Sequence, residues 1–270
     1  AGSRRSRQHG LVGGAEVTTP TLLKVAQLTR GPRLGVVYGA TEGLPLAWCA
    51  PSDAVAPATL RRTALGGGAC LGRAAKGVAL WVDTSVWRRS GHREPALASV
   101  GATREAAAAA AASASLGELV ASGPAVSPSA GVDFHTGDVV ALDADGRVWL
   151  YGRLAQLVRC GAERGSVPPV AVEMVMLATA KLSACALIEA SAQTPVLVYK
   201  PAAGLARAHL LEHLGGALRR SVWAHLSPVL QYLHYDGVWP VDARHSSKTD
   251  RAQIRGWAAH NSVLALNTRD

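Results

Sequence analysis

Residues 136–153 read TGDVVALDADGRVWLYGR. Two alternating, apolar-rich runs flank Asp143-Ala144-Asp145-Gly146, and aspartate and glycine supply the turn conformations that bulky residues resist. The pattern predicts a β-hairpin. Thr136-Gly137-Asp138 stands just before the first run and Gly152-Arg153 at the end of the second, so a hairpin brings Asp138 and Arg153 together at its base. A carboxylate there can hold both hydroxyls of a ribose, and a guanidinium fork can hold a phosphate or the ribose edge. An ion pair that merely closes the hairpin accounts for the same two residues equally well.

Upstream, VVYGATEGLPL at 36–46 puts Tyr-Gly-Ala-Thr-Glu behind an apolar run. Leu34–Tyr38 reads as the end of a buried strand and Gly39 permits a sharp exit, which sets the Thr41 hydroxyl and the Glu42 carboxylate at one spot. Such a pair suits a metal-bound phosphate. A strand followed by a polar turn is the simpler reading of these residues alone. Around them TLLKVAQLTR reads as a helix, and LGVVYGA and GVALWVD as strands, which gives residues 10–83 an α/β rhythm. The rhythm lapses over 84–116, where REAAAAAAASASL has high helix propensity and no amphipathic stripe, the mark of an exposed low-complexity insertion.

Beyond the hairpin the pattern becomes α+β. A helix is expected at VAVEMVMLAT, strands at ACALIEA and PVLVYKP, a long helix over 205–226, a short strand near YLHYD and a last helix over 249–260, capped by Thr249 or Asp250. The fold class is therefore an α/β N-terminal portion, 1–154, followed by a smaller α+β domain, 155–270, with the boundary near Leu154.

Composition sets limits on function. The chain has 270 residues, 49% hydrophobic and 17% charged, enough to bury a core. Its net charge of +9 comes from scattered arginines, with RRSR at 4–7 the one cluster, and the seven tryptophans do not interleave with basic residues. That gives no support to a nucleic-acid patch and leaves room for a small polyanion such as a nucleotide. Cys49, Cys70, Cys160 and Cys185 show no C-x-x-C spacing, so free thiols are expected. There is no transmembrane-length apolar run and no signal-peptide core, and a cytoplasmic protein is the expectation. HLLEH at 209–213 matches a zinc-peptidase pattern, but no glutamate follows Glu212, so a solvated helix face is the better reading.

GGA at 13–15, YGATE at 38–42, GACLGR at 68–73, GELVASGP at 117–124, TGDVVALDADGRVWLYGR at 136–153 and SSKTDR at 246–251 stand in one order. Together they resemble the adenylate-forming superfamily of acyl-CoA synthetases, luciferases and peptide-synthetase adenylation domains. YGATEGLPLAW and PVDARHSSK look most like olefin-pathway β-lactone synthetases, themselves similar to fatty acid-CoA ligases. The resemblance covers nearly the whole chain but only the later part of the family's pattern. The phosphate-gripping Ser/Thr/Gly-rich loop would lie upstream of Gly13, so a C-terminal portion is expected. The segment between SGP and FHTGD is short, and Ala155 occupies the hinge position where relatives carry Asp or Lys.

The resemblance implies ATP-dependent activation of a carboxylic acid, of fatty acid type, with Mg²⁺ as cofactor. By it Gly13, Gly14, Ala15, Tyr38 and Gly39 line the nucleotide pocket, Thr41 touches phosphate, and Glu42 holds Mg²⁺. Asp138 takes the ribose hydroxyls, Arg153 assists, and Lys248 on a mobile lid is the catalytic cation. A β-hydroxy acid would close to a β-lactone without coenzyme A. The alternatives are a long-chain fatty acid-CoA ligase, which needs coenzyme A, and an inactive remnant that only binds. In RCGAERGSVPPVAVE, Ala171 before Val172-Glu173 and the extra residues before Val167 disfavour a coenzyme A-using lid.

Overall fold

The computed structural model describes residues 10–13, 17–28, 34–89, 115–161, 164–190, 193–203, 207–242 and 248–261. Gly14, Ala15, the RRSR cluster and most of the Ala-rich tract lie outside the described residues. The fold is mixed α/β, built on a large sheet.

That sheet has eight strands in the order β1-β2-β3-β4-β8-β7-β6-β5. They are β1 Gly10–Val12, β2 Leu34–Ala40, β3 Gly43–Cys49, β4 Ala69–Ala74, β5 Ala79–Asp83, β6 Gly117–Ser122, β7 Phe134–Leu142 and β8 Val148–Arg153. β1 runs parallel to β2 and the other pairings are antiparallel. Helices α1 Thr19–Leu28, α2 Pro51–Ala54, α3 Pro57–Ala64 and α4 Thr84–Arg89 fill the connections.

The expected hairpin is β7–β8, with Asp138 opposite Arg153. Its turn is held by Asp143, whose carboxylate accepts from Asp145 N, Arg147 N, Arg147 Nε and Trp149 Nε1 at 2.8–3.0 Å. Both faces of the hairpin are covered. Val139, Ala141, Trp149 and Tyr151 enter one buried cluster, and Val140, Val148 and Leu150 enter another. This explains why the two runs carry so few polar residues.

The sheet also curls. β2 turns straight into β3 through Thr41-Glu42, and the tip of that turn reaches the segment after β6: Gly43 bridges Val126, and Ser127 N donates to Glu42 O at 2.6 Å. Strands β2 and β7 are separated in the sheet by β3, β4 and β8, yet the curl brings their side chains together.

After a 3₁₀ turn at Leu154–Gln156 come β9 Val158–Arg159, β10 Ser166–Val167, α5 Pro169–Ala178, β11 Leu182–Glu189, β12 Pro195–Pro201, α6 Arg207–Arg219, β13 Gln231–His234 and α7 Arg251–Ala259. The second sheet is β11-β12-β13, with β12 and β13 parallel across the α6 crossover. Ala186, Ile188, Val196, Val198 and Leu233 pack against Ile254 and Ala258 of α7, while Leu187, Leu197, Tyr199 and Tyr232 face the other way.

That other face joins the largest cluster of buried side chains, which runs across residue 154. It contains Trp87, Val139, Trp149 and Tyr151 as well as Val172, Met176, Leu187, Leu214 and Trp223. α5 is apolar on nearly every side because both portions cover it: Val170 and Met174 reach toward the large sheet, Ala171, Val175 and Met176 into the shared cluster. The long helix expected over 205–226 stops at Arg219. Ser221 Oγ donates to Leu218 O and accepts from Trp223 N, a local bond pattern that competes with helix continuation. Trp223 then inserts against the large portion, its Nε1 donating to Gly66 O at 3.0 Å.

Among the described residues no helix is long and apolar enough to cross a membrane. The four cysteines are free, with Cys49 Sγ and Cys70 Sγ 3.8 Å apart. Burial pushes the Cys160 thiol up to about 12.

Candidate functional site

Three of the sequence-predicted residues meet. The Tyr38 hydroxyl donates to Asp138 Oδ2 at 2.5 Å, and Arg153 Nε lies 3.2 Å from Asp138 Oδ1. Asp138 is 7% exposed while Arg153 is 50% exposed, so the carboxylate is held from inside and covered by a cation that solvent reaches. Burial raises the Tyr38 phenol well above its ordinary value, and the charge of Asp138 and the hydrogen bond to it raise it further. Tyr38 therefore stays a donor at any physiological pH. The two oxygens of a carboxylate offer about four lone-pair sites, enough in general for protein donors and ligand hydroxyls to share one group.

Asp138 owes its aim to an irregular strand. Glu118 pairs with Val139 and Val120 with His135, so the single residue Leu119 of β6 faces Thr136, Gly137 and Asp138 of β7. Such a bulge re-aims side chains. Thr136 Oγ1 donates to Leu119 O at 2.9 Å and accepts from Asp138 N at 3.1 Å, while Glu118 Oε1 accepts the Gly137 N–H at 2.9 Å. Gly137 has φ +72, a conformation that glycine adopts without strain.

The other predicted residues sit around this cluster. Gly13 lies against β2 so closely that a Cβ there would fall 2.5 Å from Val37 O, beside Tyr38. Gly39 is inside β2 rather than at its exit, because the strand runs on to Ala40. Thr41 and Glu42 are the exposed tip of the β2–β3 hairpin. Magnesium takes one or two carboxylates and completes its shell with water and phosphate oxygens. A solvent-facing carboxylate beside a hydroxyl meets that requirement, so Glu42 and Thr41 fit the ion chemically. Among the described residues no cluster of three or more His, Cys, Asp or Glu is gathered for a metal, and His213 Nδ1 of HLLEH bonds its own helix at His209 O.

Lys248 lies on the loop before α7. Its carbonyl accepts from Asp242 N at 2.8 Å, Val241 bridges Thr249, Trp239 Nε1 donates to Thr249 Oγ1, and Asp250 caps α7 through Ala252 N and Gln253 N. A part-buried pair that sequence reasoning missed anchors this helix: both nitrogens of the Arg251 fork reach Glu173 of α5, at 2.7 and 2.8 Å. Glu173 Oε1 also accepts Leu187 N. Its signal was legible, as one carboxylate in an otherwise apolar helix. Glu118 and His135 were likewise missed, being read only as parts of larger motifs.

No protein-family model matches the chain. Among curated proteins it is 28% identical to the olefin β-lactone synthetase of Xanthomonas campestris, an alignment that covers 93% of this chain and 47% of that protein. A second olefin β-lactone synthetase, from Stenotrophomonas maltophilia, is 34% identical over 127 residues, covering 46% of this chain and 22% of the relative. The chain thus spans at most about half the length of the curated relatives it matches. Among solved structures it resembles the amide bond synthetase McbA from Marinactinospora thermotolerans, with TM-score 0.66, 22% identity and coverage of 93% of this chain and 47% of that one. MatB from Rhodopseudomonas palustris is also similar, with TM-score 0.61, 19% identity and coverage of 93% and 46%. Ordered motifs, sequence relatives and fold all carry a likeness to adenylate-forming enzymes, and the sequence likeness lies toward the olefin β-lactone synthetases.

Proposed function

We propose that this chain is the portion of an ATP-dependent adenylating enzyme that grips the nucleoside and carries the lid lysine, and that it acts on a long-chain β-hydroxy fatty acid. The observation that carries this reading is the buried Asp138 carboxylate with Tyr38 and Arg153 on its two oxygens. In the proposed reaction a substrate carboxylate oxygen attacks the α-phosphorus of ATP, the new O–P bond replaces the bond to pyrophosphate, and an acyl-adenylate forms. Asp138 holds the ribose hydroxyls, and Arg153, half in solvent, faces the ribose edge or the phosphate. Lys248 brings a compact positive charge to the α-phosphate and the attacking oxygen when the lid closes. Glu42 would hold Mg²⁺, which when bound would offset phosphate charge. The substrate's own β-hydroxyl then attacks the acyl carbon, AMP leaves with the bonding pair, and the hydroxyl proton passes to solvent, closing a β-lactone.

The likeness to β-lactone synthetases supports the second step, and the observed fold supports the first. The domain division at 154 belongs to the same proposal, with 155–270 as the lid. The test uses a protein of the relatives' full length that carries this sequence, supplied with ATP and a racemic long-chain β-hydroxy acid. AMP and β-lactone without coenzyme A are the expected products. A strict coenzyme A requirement with a thioester product assigns the ligase reaction instead, and AMP binding with no pyrophosphate release at all assigns an inert binding remnant.

A further inference from the structure

We infer that Glu118 is a positioning residue for the nucleoside site, an inference that rests on the reading of Asp138 as the ribose-binding carboxylate. Glu118 lies on the strand next to Asp138 and is itself 8% exposed. Its two oxygens are committed to the bulge: Oε1 to the Gly137 N–H at 2.9 Å, Oε2 to His135 Nδ1 at 3.0 Å. Those two partners bracket Thr136, and the residue that follows Gly137 is Asp138. One carboxylate thus holds His135, the paired residue just before the bulge, and Gly137 at its centre, in the segment that turns Asp138 toward Tyr38 of β2.

The need for such a pin is physical. A bulge leaves backbone groups without ladder partners, and a buried N–H without an acceptor is costly. In regular pairing the Gly137 N–H would bond the neighbouring strand; here its acceptor is the Glu118 side chain. Thr136 ties the bulge a second time, through Leu119 O and Asp138 N, but its hydroxyl does not reach Gly137 N. Without Glu118 the segment loses the contact that fixes Gly137 at φ +72 and is free to relax toward regular pairing, which swings Asp138 off the ribose position. Glu118 does not touch the nucleotide in this arrangement; it acts through Asp138.

The test compares AMP with 2′,3′-dideoxy-AMP, which lacks the hydroxyls Asp138 would hold, in calorimetric titrations of the 270-residue chain. Wild type is expected to prefer AMP by about 10-fold or more, the scale of a charge-assisted hydrogen bond. Asp138→Ala erases that preference. Glu118→Ala is expected to erase most of it while binding dideoxy-AMP as wild type does, and Glu118→Gln, which keeps an acceptor for Gly137, is expected to retain at least half of it on a logarithmic scale. Exchange of the Gly137 amide should accelerate in the alanine variant and stay slow in the glutamine variant. Where Glu118→Ala does not fold, Glu118→Met, apolar and of similar length, carries the comparison. A Glu118→Ala or Glu118→Met protein that still discriminates like wild type, with Asp138→Ala blind to the hydroxyls, overturns the role of Glu118 and leaves the site reading intact. A wild type that does not discriminate overturns both.

Discussion

Trp223 tests whether the two portions of the chain are one folding unit. It is fully buried in the shared cluster, stands edge-on to Tyr151, and its indole nitrogen donates to Gly66 O from 157 residues away. Trp223→Ala removes about 200 Å² of buried apolar surface, worth about 5 kcal/mol at ~25 cal/mol per Å². It also leaves Gly66 O without its donor, a further ~1–3 kcal/mol. Domain stabilities are ~5–15 kcal/mol, so the alanine variant loses a third or more of the total. Trp223→Phe keeps most of the apolar filling and deletes the N–H, for an expected loss of about 1–3 kcal/mol. The assay is amide hydrogen exchange read at β7–β8 and at β11–β12. Because the cluster joins Val139 and Trp149 to Leu187 and Leu197, both strand pairs should lose protection together and by similar free energies. Unchanged protection in β7–β8, with β11–β12 alone weakened, would refute the shared core and leave 155–260 as an independent unit.

Acid should unfasten the β7–β8 turn. Burial opposes ionisation of Asp143, but the Trp149 indole N–H and the Arg147 backbone and guanidinium overcome it and hold its carboxyl below the usual range. A depressed folded value means that the stabilisation is full above the unfolded pKa, about 3.9, and disappears as pH falls through the folded one. Asp143→Asn should therefore be less stable than wild type by about 1–3 kcal/mol at pH 7, with the gap closing below about pH 4; urea titrations across pH that find a constant gap contradict this. In a protein of the relatives' full length, Lys248→Ala is expected to slow pyrophosphate release by 100-fold or more, about 3 kcal/mol of transition-state stabilisation, while changing AMP affinity less than threefold. Equal losses in both would make Lys248 a binding residue instead.

Much of this was legible because local periodicity and local meeting coincide. The β7–β8 alternation fixed the register that sets Asp138 opposite Arg153, and the turn chemistry of residues 143–146 marked its centre. GLPLAW was not legible as β3, since Pro45 and a short apolar run carry no alternation, and so Glu42 was expected to leave a strand exit rather than cap a hairpin. The Tyr38–Asp138 bond depends on how far the whole sheet curls, which no window of sequence encodes. Pattern also hid the shared core. The 155–260 segment has a locally complete set of elements, but which faces of α5 are covered is decided by packing against distant strands. Glu118 lay in plain view in GELVASGP, yet its role appears only once β6 is paired against the bulge of β7.

A crystal structure of the 270-residue chain with AMP bound tests the central claim most directly. The account predicts both ribose hydroxyls within hydrogen-bond distance of the Asp138 carboxylate, the adenine beside Tyr38 and Gly13, and Arg153 turned toward the ribose or phosphate. A nucleotide whose ribose lies away from Asp138, with that carboxylate still closed between Tyr38 and Arg153, would contradict it.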